Sequence, residues 1–547
     1  MRFAFLDSRF FHNLMLVFLG VWVCAHVPGL TYGAFNIPLH MTYVGDEQVS
    51  VNSALRVLNE KSILAFRNRE MQYYGPMFVA IDTPGVAFDF VWKYVTGVVS
   101  SPEEYKRYIV WDWGGIIRAV RVTAILSMLF GLVVVYKLAN TATLNPSRNR
   151  YVPYLVTGLM AVNYFYFEYS HFSIHWAYVI PCLFLAWYTL VRIQETEGKL
   201  VWCWFVHGAA VVVSFGVSYF SLIFLSMWWP TLWGMWREKN RALFVRWISA
   251  MIVTGIACAL IVWWHPYAFL RYLSFVGIGA DMHHLGDTQN PFVMTNPSWI
   301  PYIWQIVINN LGLVAVFILL ILVLWRRTHL WRSAVLWTIL WPGIMNYFLF
   351  APAEHYEGRY ALPTIVALVI ASGYLLSVYL AHTELHTRLV SIMLVTFLAW
   401  YTGFHLVHDT LWMHIFAQGP IEQEAVQTVL ELQKTGAPVL IVNSYIFGYP
   451  HTKDSYHAFA EHRKFGDIPL YREIYAHPLP SGRPILDARY MFLKDFDANP
   501  RVLNEYKHAV LLFRPRSTDW NQFSYFDEDI VSNWYYRELS PTYIVIK

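Results

Sequence analysis

Charge is what this 547-residue chain has least of: 14% of its residues are Asp, Glu, Lys or Arg, well below the quarter or so usual in soluble domains. The net charge of +4 is small for the length and gives no case for a nucleic-acid partner. Cysteine is scarce too. Cys24, Cys182, Cys203 and Cys258 all lie in apolar runs and show no metal-ligand spacing, which excludes a disulfide framework in the polar segments. There is no internal repeat and no low-complexity tract, so the inverted-repeat signature of many transporters is missing. The first apolar run has no small-residue cleavage site after it and is expected to be a retained helix, not a removed signal peptide.

What the chain does have is apolar and aromatic surface. It is 57% hydrophobic with a mean hydropathy of +0.38, and it carries 25 Trp and 36 Tyr. Many of these, including Trp228, Trp229, Trp263, Trp264, Trp325 and Trp341, sit near the ends of apolar runs, where amphipathic rings favour the headgroup level. The expected fold class is therefore mainly α, a polytopic helical membrane protein. Runs of membrane-spanning length fall near 14–33, 118–138, 151–168, 174–191, 200–217, 219–236, 247–264, 304–325, 333–350, 361–381 and 389–407, about 11 spans.

The loops between these runs give sidedness. With a cytoplasmic N-terminus, fifteen cations face inward, from Arg2 and Arg9 through Arg148, Arg150, Arg237, Arg326, Arg327 and Arg332 to Arg388; the short outside loops carry Arg271 and Arg359. Such asymmetry is the positive-inside signal. An odd number of spans then puts the C-terminus outside. Residues 1–407 form the membrane domain with extracytoplasmic loops 34–117 and 265–303, and 408–547 form a C-terminal extracytoplasmic domain. That tail alternates strand-like runs (Val439–Val442, Ala509–Phe513, Tyr543–Ile546) with a helical stretch at 421–434, as a small α/β domain would.

Candidate chemistry lies in the outside segments. Gly45-Asp46-Glu47 follows the first run and precedes an amphipathic pattern (Val49, Ala54, Leu55 and Leu58 against Gln48, Asn52, Arg56 and Asn59) suited to a helix along the membrane surface. Asp46 could cap that helix, and a carboxylate so fixed is also placed to accept a proton. Further along, Tyr74-Gly75-Pro76-Met77 and Thr83-Pro84-Gly85 are turn signals. The loop before the tenth run contains His355, Arg359 and Tyr360. An arginine there suits a phosphate, because its planar fork binds two oxygens at once; the alternative is an arginine snorkelling beside Glu354 or Glu357. Asp281, His283, His284 and Asp287 could hold a divalent metal, the one cofactor candidate, against the plainer reading of a solvated polar loop. His171 and His175, at i and i+4, fit either a cavity face or interfacial packing.

Three motifs together resemble a known family: the acidic pair after the first span, the Arg118–Ala139 segment with Arg121 and Gly131-Leu132-Val133-Val134-Val135-Tyr136, and Arg359-Tyr360-Ala361-Leu362-Pro363 before a late span. In order and spacing they are similar to the GT-C membrane glycosyltransferases, and within these to the protein O-mannosyltransferase and lipid A aminoarabinose transferase group, over residues 10–405. One departure is that Tyr74-Gly75-Pro76-Met77 stands where the aminoarabinose group has Lys-Pro-Pro-Leu. The resemblance implies a polyprenyl-phosphate sugar as donor and an extracytoplasmic acceptor. It implies Asp46 as the catalytic carboxylate with Glu47 beside it, and Arg359 and Tyr360, with His355, at the lipid phosphate. The rival reading is a transporter or flippase that binds an anionic substrate through Arg359 and uses Asp46 as a proton-coupled gate.

Overall fold

The computed structural model describes residues 8–31, 75–111, 113–143, 149–237, 241–264, 306–350, 358–382, 387–418, five strands beyond 438, and scattered positions between them, Glu47, Ser50 and Val51 among these. Two compact units result. One comprises Met1–Val27, Asn52–Thr83 and Arg121–Met413; the other comprises Pro28–Val51, Pro84–Val120 and His414–Lys547. The second unit thus takes in residues from the 34–117 segment together with the tail.

The first unit is a helical bundle. Among the described residues, six helices are long and apolar enough to cross a membrane: Phe10–Thr31, Gly114–Ala142, His175–Glu195, Arg241–Trp264, Leu362–Ala381 and Arg388–His414; four more, Val152–Ala161, Val201–Val217, Leu311–Leu324 and Ala334–Phe348, are apolar but shorter. His175–Glu195 and Leu362–Ala381 are mostly buried, so they form the middle of the bundle. Phe10–Thr31, Arg241–Trp264 and Arg388–His414 keep most of their apolar side chains on the outside, which only a lipid solvent tolerates. The chain is a multi-pass membrane protein.

Two expected spans are interrupted. The run 151–168 divides into helices Val152–Ala161 and Tyr164–Ser170. Asn163 causes the break: its Oδ1 accepts from the Tyr166 N–H at 3.3 Å as an N-cap, while its Nδ2 donates to Asn310 Oδ1 at 3.0 Å and to the Tyr401 hydroxyl at 2.9 Å. The run 219–236 begins as a 3₁₀ helix, Tyr219–Met227, and continues as an α-helix, Trp228–Arg237.

One turn signal is corrected. Thr83-Pro84-Gly85 lies inside the continuous helix Pro76–Val95. The Thr83 hydroxyl donates to the Val79 carbonyl at 2.7 Å. At Gly85 a Cβ would stand 3.2–3.3 Å from Val120 and the Ala119 backbone. The glycine is therefore spent on close helix packing, not on a bend. The other signal marks a true start, since the helix begins at Pro76, a position where a missing N–H costs nothing.

In the second unit, strands β1 (Val439–Asn443), β2 (Ala488–Phe492), β3 (His508–Phe513), β4 (Tyr535–Leu539) and β5 (Thr542–Ile546) form one sheet of order β2-β1-β3-β5-β4. β1 runs parallel to β2 and β3, while β5 is antiparallel to β3 and β4. The apolar run Val-Leu-Ile-Val of β1 occupies a central strand, as burial on both faces demands. Of the helix expected at 421–434, residues 421–430 lie outside the described residues.

Candidate functional site

Polar side chains from four segments of the first unit converge inside the bundle. Asp82, on the Pro76–Val95 helix, is fully buried. The Tyr178 hydroxyl donates to its Oδ1 at 2.7 Å, and the Ser173 hydroxyl lies 2.9 and 2.8 Å from its two oxygens. Tyr178 has spent its proton on the carboxylate, so the Thr123 hydroxyl at 3.0 Å is the donor in that contact. Arg121, on the same helix as Thr123, is fully buried, its guanidinium 5.3 Å from the centre of the Phe172 ring.

Beside this network lie histidines. His171 stacks on His26 with ring centres 4.1 Å apart, and its Nδ1 is 2.8 Å from the Phe167 carbonyl. Burial, with His26 alongside, holds the His171 imidazole well below its usual pKa and therefore neutral. His26 in turn bonds the Trp22 carbonyl at 2.6 Å and the Ser170 hydroxyl. His175 is buried against Trp176 and Phe220. Of the two readings of His171 and His175, packing is the one these ring contacts describe.

Phe220 leads to the predicted phosphate segment. Its ring meets Tyr360 edge-on at 6.0 Å. Gly358–Ala361 is a 3₁₀ turn packed against the Tyr164–Ser170 helix and running directly into Leu362–Ala381. Asn346 pins it: the Asn346 amide donates to the Tyr360 carbonyl at 2.7 Å and to the Thr364 hydroxyl oxygen at 3.1 Å, and that hydroxyl donates to the Gly343 carbonyl at 2.9 Å. The Arg359 backbone is thus held in the turn, while its side chain is outside what is described. Close by in sequence to Phe220 is a backbone approach, where the Gly75 N–H donates to the Val217 carbonyl at 3.0 Å. A Cβ on Gly75 would overlap the Gly216 carbonyl.

The structure therefore brings Tyr360 to the histidine and aromatic cluster. In the second unit, Glu47 is buried in helical backbone, with the Ser50 hydroxyl donating to its carbonyl at 3.1 Å. Asp46, His355, Asp281, His283 and His284 lie outside the described residues. Among the described residues no group of three His, Cys, Asp or Glu could hold a metal ion. Sequence reasoning missed Asp82, Ser173, Tyr178 and Asn346. An aspartate in a mainly apolar helix, which also carries Asp89 and Lys93, was the available signal for the first; nothing in the pattern marks the other three. Asp82 already receives Ser173 and Tyr178, so it anchors the first-loop helix to the bundle more readily than it takes a proton. A separate buried group surrounds the last helix, where the Tyr164 N–H donates to His405 Nδ1 at 3.1 Å and Asp409 is buried one turn away.

Over almost its whole length this architecture coincides with a solved one: the crystal structure of ArnT from Cupriavidus metallidurans in the apo state matches with a TM-score of 0.50, covering 98% of each chain at 11% identity. The chain has the fold of ArnT. A second ArnT structure from the same organism, bound to undecaprenyl phosphate, covers 98% of each chain at 11% identity and a TM-score of 0.48. No family model and no curated protein matches the sequence. The likeness is therefore one of fold.

Proposed function

We propose that the protein is an inner-membrane glycosyltransferase that moves a sugar from a polyprenyl-phosphate donor to an extracytoplasmic acceptor, whether lipid, glycan or protein. The observation that carries this reading is the ArnT fold over 98% of the chain, joined to a turn in which Asn346 holds the backbone of Arg359 and Tyr360. The transporter reading has no comparable support. By the charge asymmetry, the N-terminus is cytoplasmic and the turn and the C-terminal α/β domain face outward.

In this mechanism the acceptor hydroxyl gives its proton to Asp46 as its oxygen attacks the anomeric carbon. The bond between that carbon and the phosphate oxygen breaks, and polyprenyl phosphate leaves with inversion at the sugar. Arg359, with Tyr360 and His355, binds the phosphate and stabilises the charge that develops on it. Glu47 would orient the acceptor or hold a metal ion. A divalent metal at Asp281, His283 and His284 would add Lewis-acid assistance at the phosphate. Purified protein in proteoliposomes supplied with polyprenyl-phosphate sugar tests the proposal: acceptor-dependent release of polyprenyl phosphate is expected, and movement of intact donor across the bilayer without release would overturn it.

A further inference from the structure

A cleft of about 430 Å³ opens at the far end of the bundle from the phosphate turn, where the charge count places the cytoplasm. It lies between the helices Trp228–Arg237 and Ala334–Phe350, closed at its base where Gly234 meets Ala334, and its size is that of a small-molecule site. Trp229, Trp233, Trp337 and Trp341 form its walls. The indole N–H of Trp337 donates to the Trp331 carbonyl at 2.8 Å, and that of Trp331 to the Trp325 carbonyl at 3.1 Å. With its polar edge satisfied by backbone, the Trp337 ring turns a fixed apolar face to the space. Two cations complete the lining, Arg237 and Arg332, both exposed. Among the described residues no acidic side chain lines the cleft, and no ion pair to either arginine occurs.

We infer that this cleft is a binding site for an anionic phospholipid of the cytoplasmic leaflet, the phosphodiester held between Arg237 and Arg332 and an acyl chain lying against the tryptophan walls. Guanidinium groups suit phosphate oxygens, tryptophans favour the headgroup level, and basic pockets between membrane helices on the cytoplasmic side take anionic headgroups. The site is independent of the transfer reaction proposed above.

The test uses the full chain in detergent. Native mass spectrometry is run after adding dioleoyl phosphatidylglycerol or dioleoyl phosphatidylcholine at equal concentration, for the wild type and for Arg237→Gln/Arg332→Gln. The wild type is expected to retain phosphatidylglycerol about tenfold better than phosphatidylcholine, and the double variant to bind both alike. Both arginines are exposed, so the variant should fold; its melting temperature in phosphatidylcholine should match the wild type, while the rise given by phosphatidylglycerol disappears. Undiminished preference for phosphatidylglycerol in the double variant overturns the site. Displacement of phosphatidylglycerol by undecaprenyl phosphate at equimolar concentration overturns the choice of lipid.

Discussion

Asn346→Ala is the substitution that most directly asks whether the turn at Gly358–Ala361 works as a preformed phosphate holder. The change removes two hydrogen bonds, to the Tyr360 carbonyl at 2.7 Å and to Thr364 Oγ1 at 3.1 Å. A net bond is worth about 1 kcal/mol, so about 2 kcal/mol of restraint on the turn is lost. If Arg359 acts only from the docked turn, that loss lowers turnover by up to about thirtyfold, at roughly 1.4 kcal/mol per decade. Thr364→Val keeps the shape and removes one oxygen, and should cost about tenfold or less by the same scale. Donor turnover in proteoliposomes and thermal unfolding of the same preparations are the two readouts. The expected pattern is slowed turnover and weakened donor binding with a melting temperature lower by only a few degrees. Wild-type turnover in a folded Asn346→Ala protein would refute the idea that this amide positions Arg359.

Four further outcomes are expected. Asp46→Asn should abolish transfer with donor binding intact, since a general base contributes about 10²–10⁴-fold while Asn can still cap a helix; substantial residual activity in the transfer assay would leave capping as the whole role. Arg359→Lys should lower turnover about tenfold or more, because an ammonium keeps the charge but loses the paired geometry, and unchanged kinetics would remove the phosphate assignment. Cysteines placed at Ser100 and Ser455 should react with an impermeant thiol reagent from outside, and one at Ser147 only after the membrane is opened; labelling of Ser147→Cys from outside reverses the topology. Gly75→Ala should destabilise the fold by about 1–3 kcal/mol, because the new methyl meets the Gly216 carbonyl, and thermal unfolding unchanged from wild type would mean the backbones are not in contact.

The helices were largely legible because a membrane span needs only an apolar run, and such runs announce themselves. Arg118–Ala139, for example, lies within Trp113–Ala142. The misreadings came from residues whose local preference was overruled by packing. Pro84 and Gly85 prefer a turn in isolation, but the helix passing at Ala119 and Val120 favours a continuous, side-chain-free surface there. Asn163 was the reverse case, a single polar residue in an apolar run whose capping ability breaks the helix. In the tail, β1, β3 and β5 coincide with the runs Val439–Val442, Ala509–Phe513 and Tyr543–Ile546, but β2 and β4 did not stand out. Ala-Arg-Tyr-Met-Phe and Tyr-Tyr-Arg-Glu-Leu carry charges mid-strand, as outer strands of a sheet can, and so lack an apolar signature. At the site, the Arg359–Tyr360 segment stood out as a cation among apolar neighbours, whereas Asn346 acts across fourteen residues of chain and left no local mark.

The 3₁₀ stretch Tyr219–Met227 changes the phase of everything after it. A 3₁₀ helix turns about 120° per residue and an α-helix about 100°, so over these nine residues the following helix is rotated by about 180° relative to an unbroken α-helix. Trp229 and Trp233 accordingly look into the cleft beside Trp337, on the side an α-helical run would have given to the opposite face. The same stretch is also longer, rising about 2.0 Å per residue instead of about 1.5 Å. A segment of ordinary length thereby reaches from the Gly216 contact at one end to Arg237 at the other, and a half-turn of twist becomes the device that aims its tryptophans.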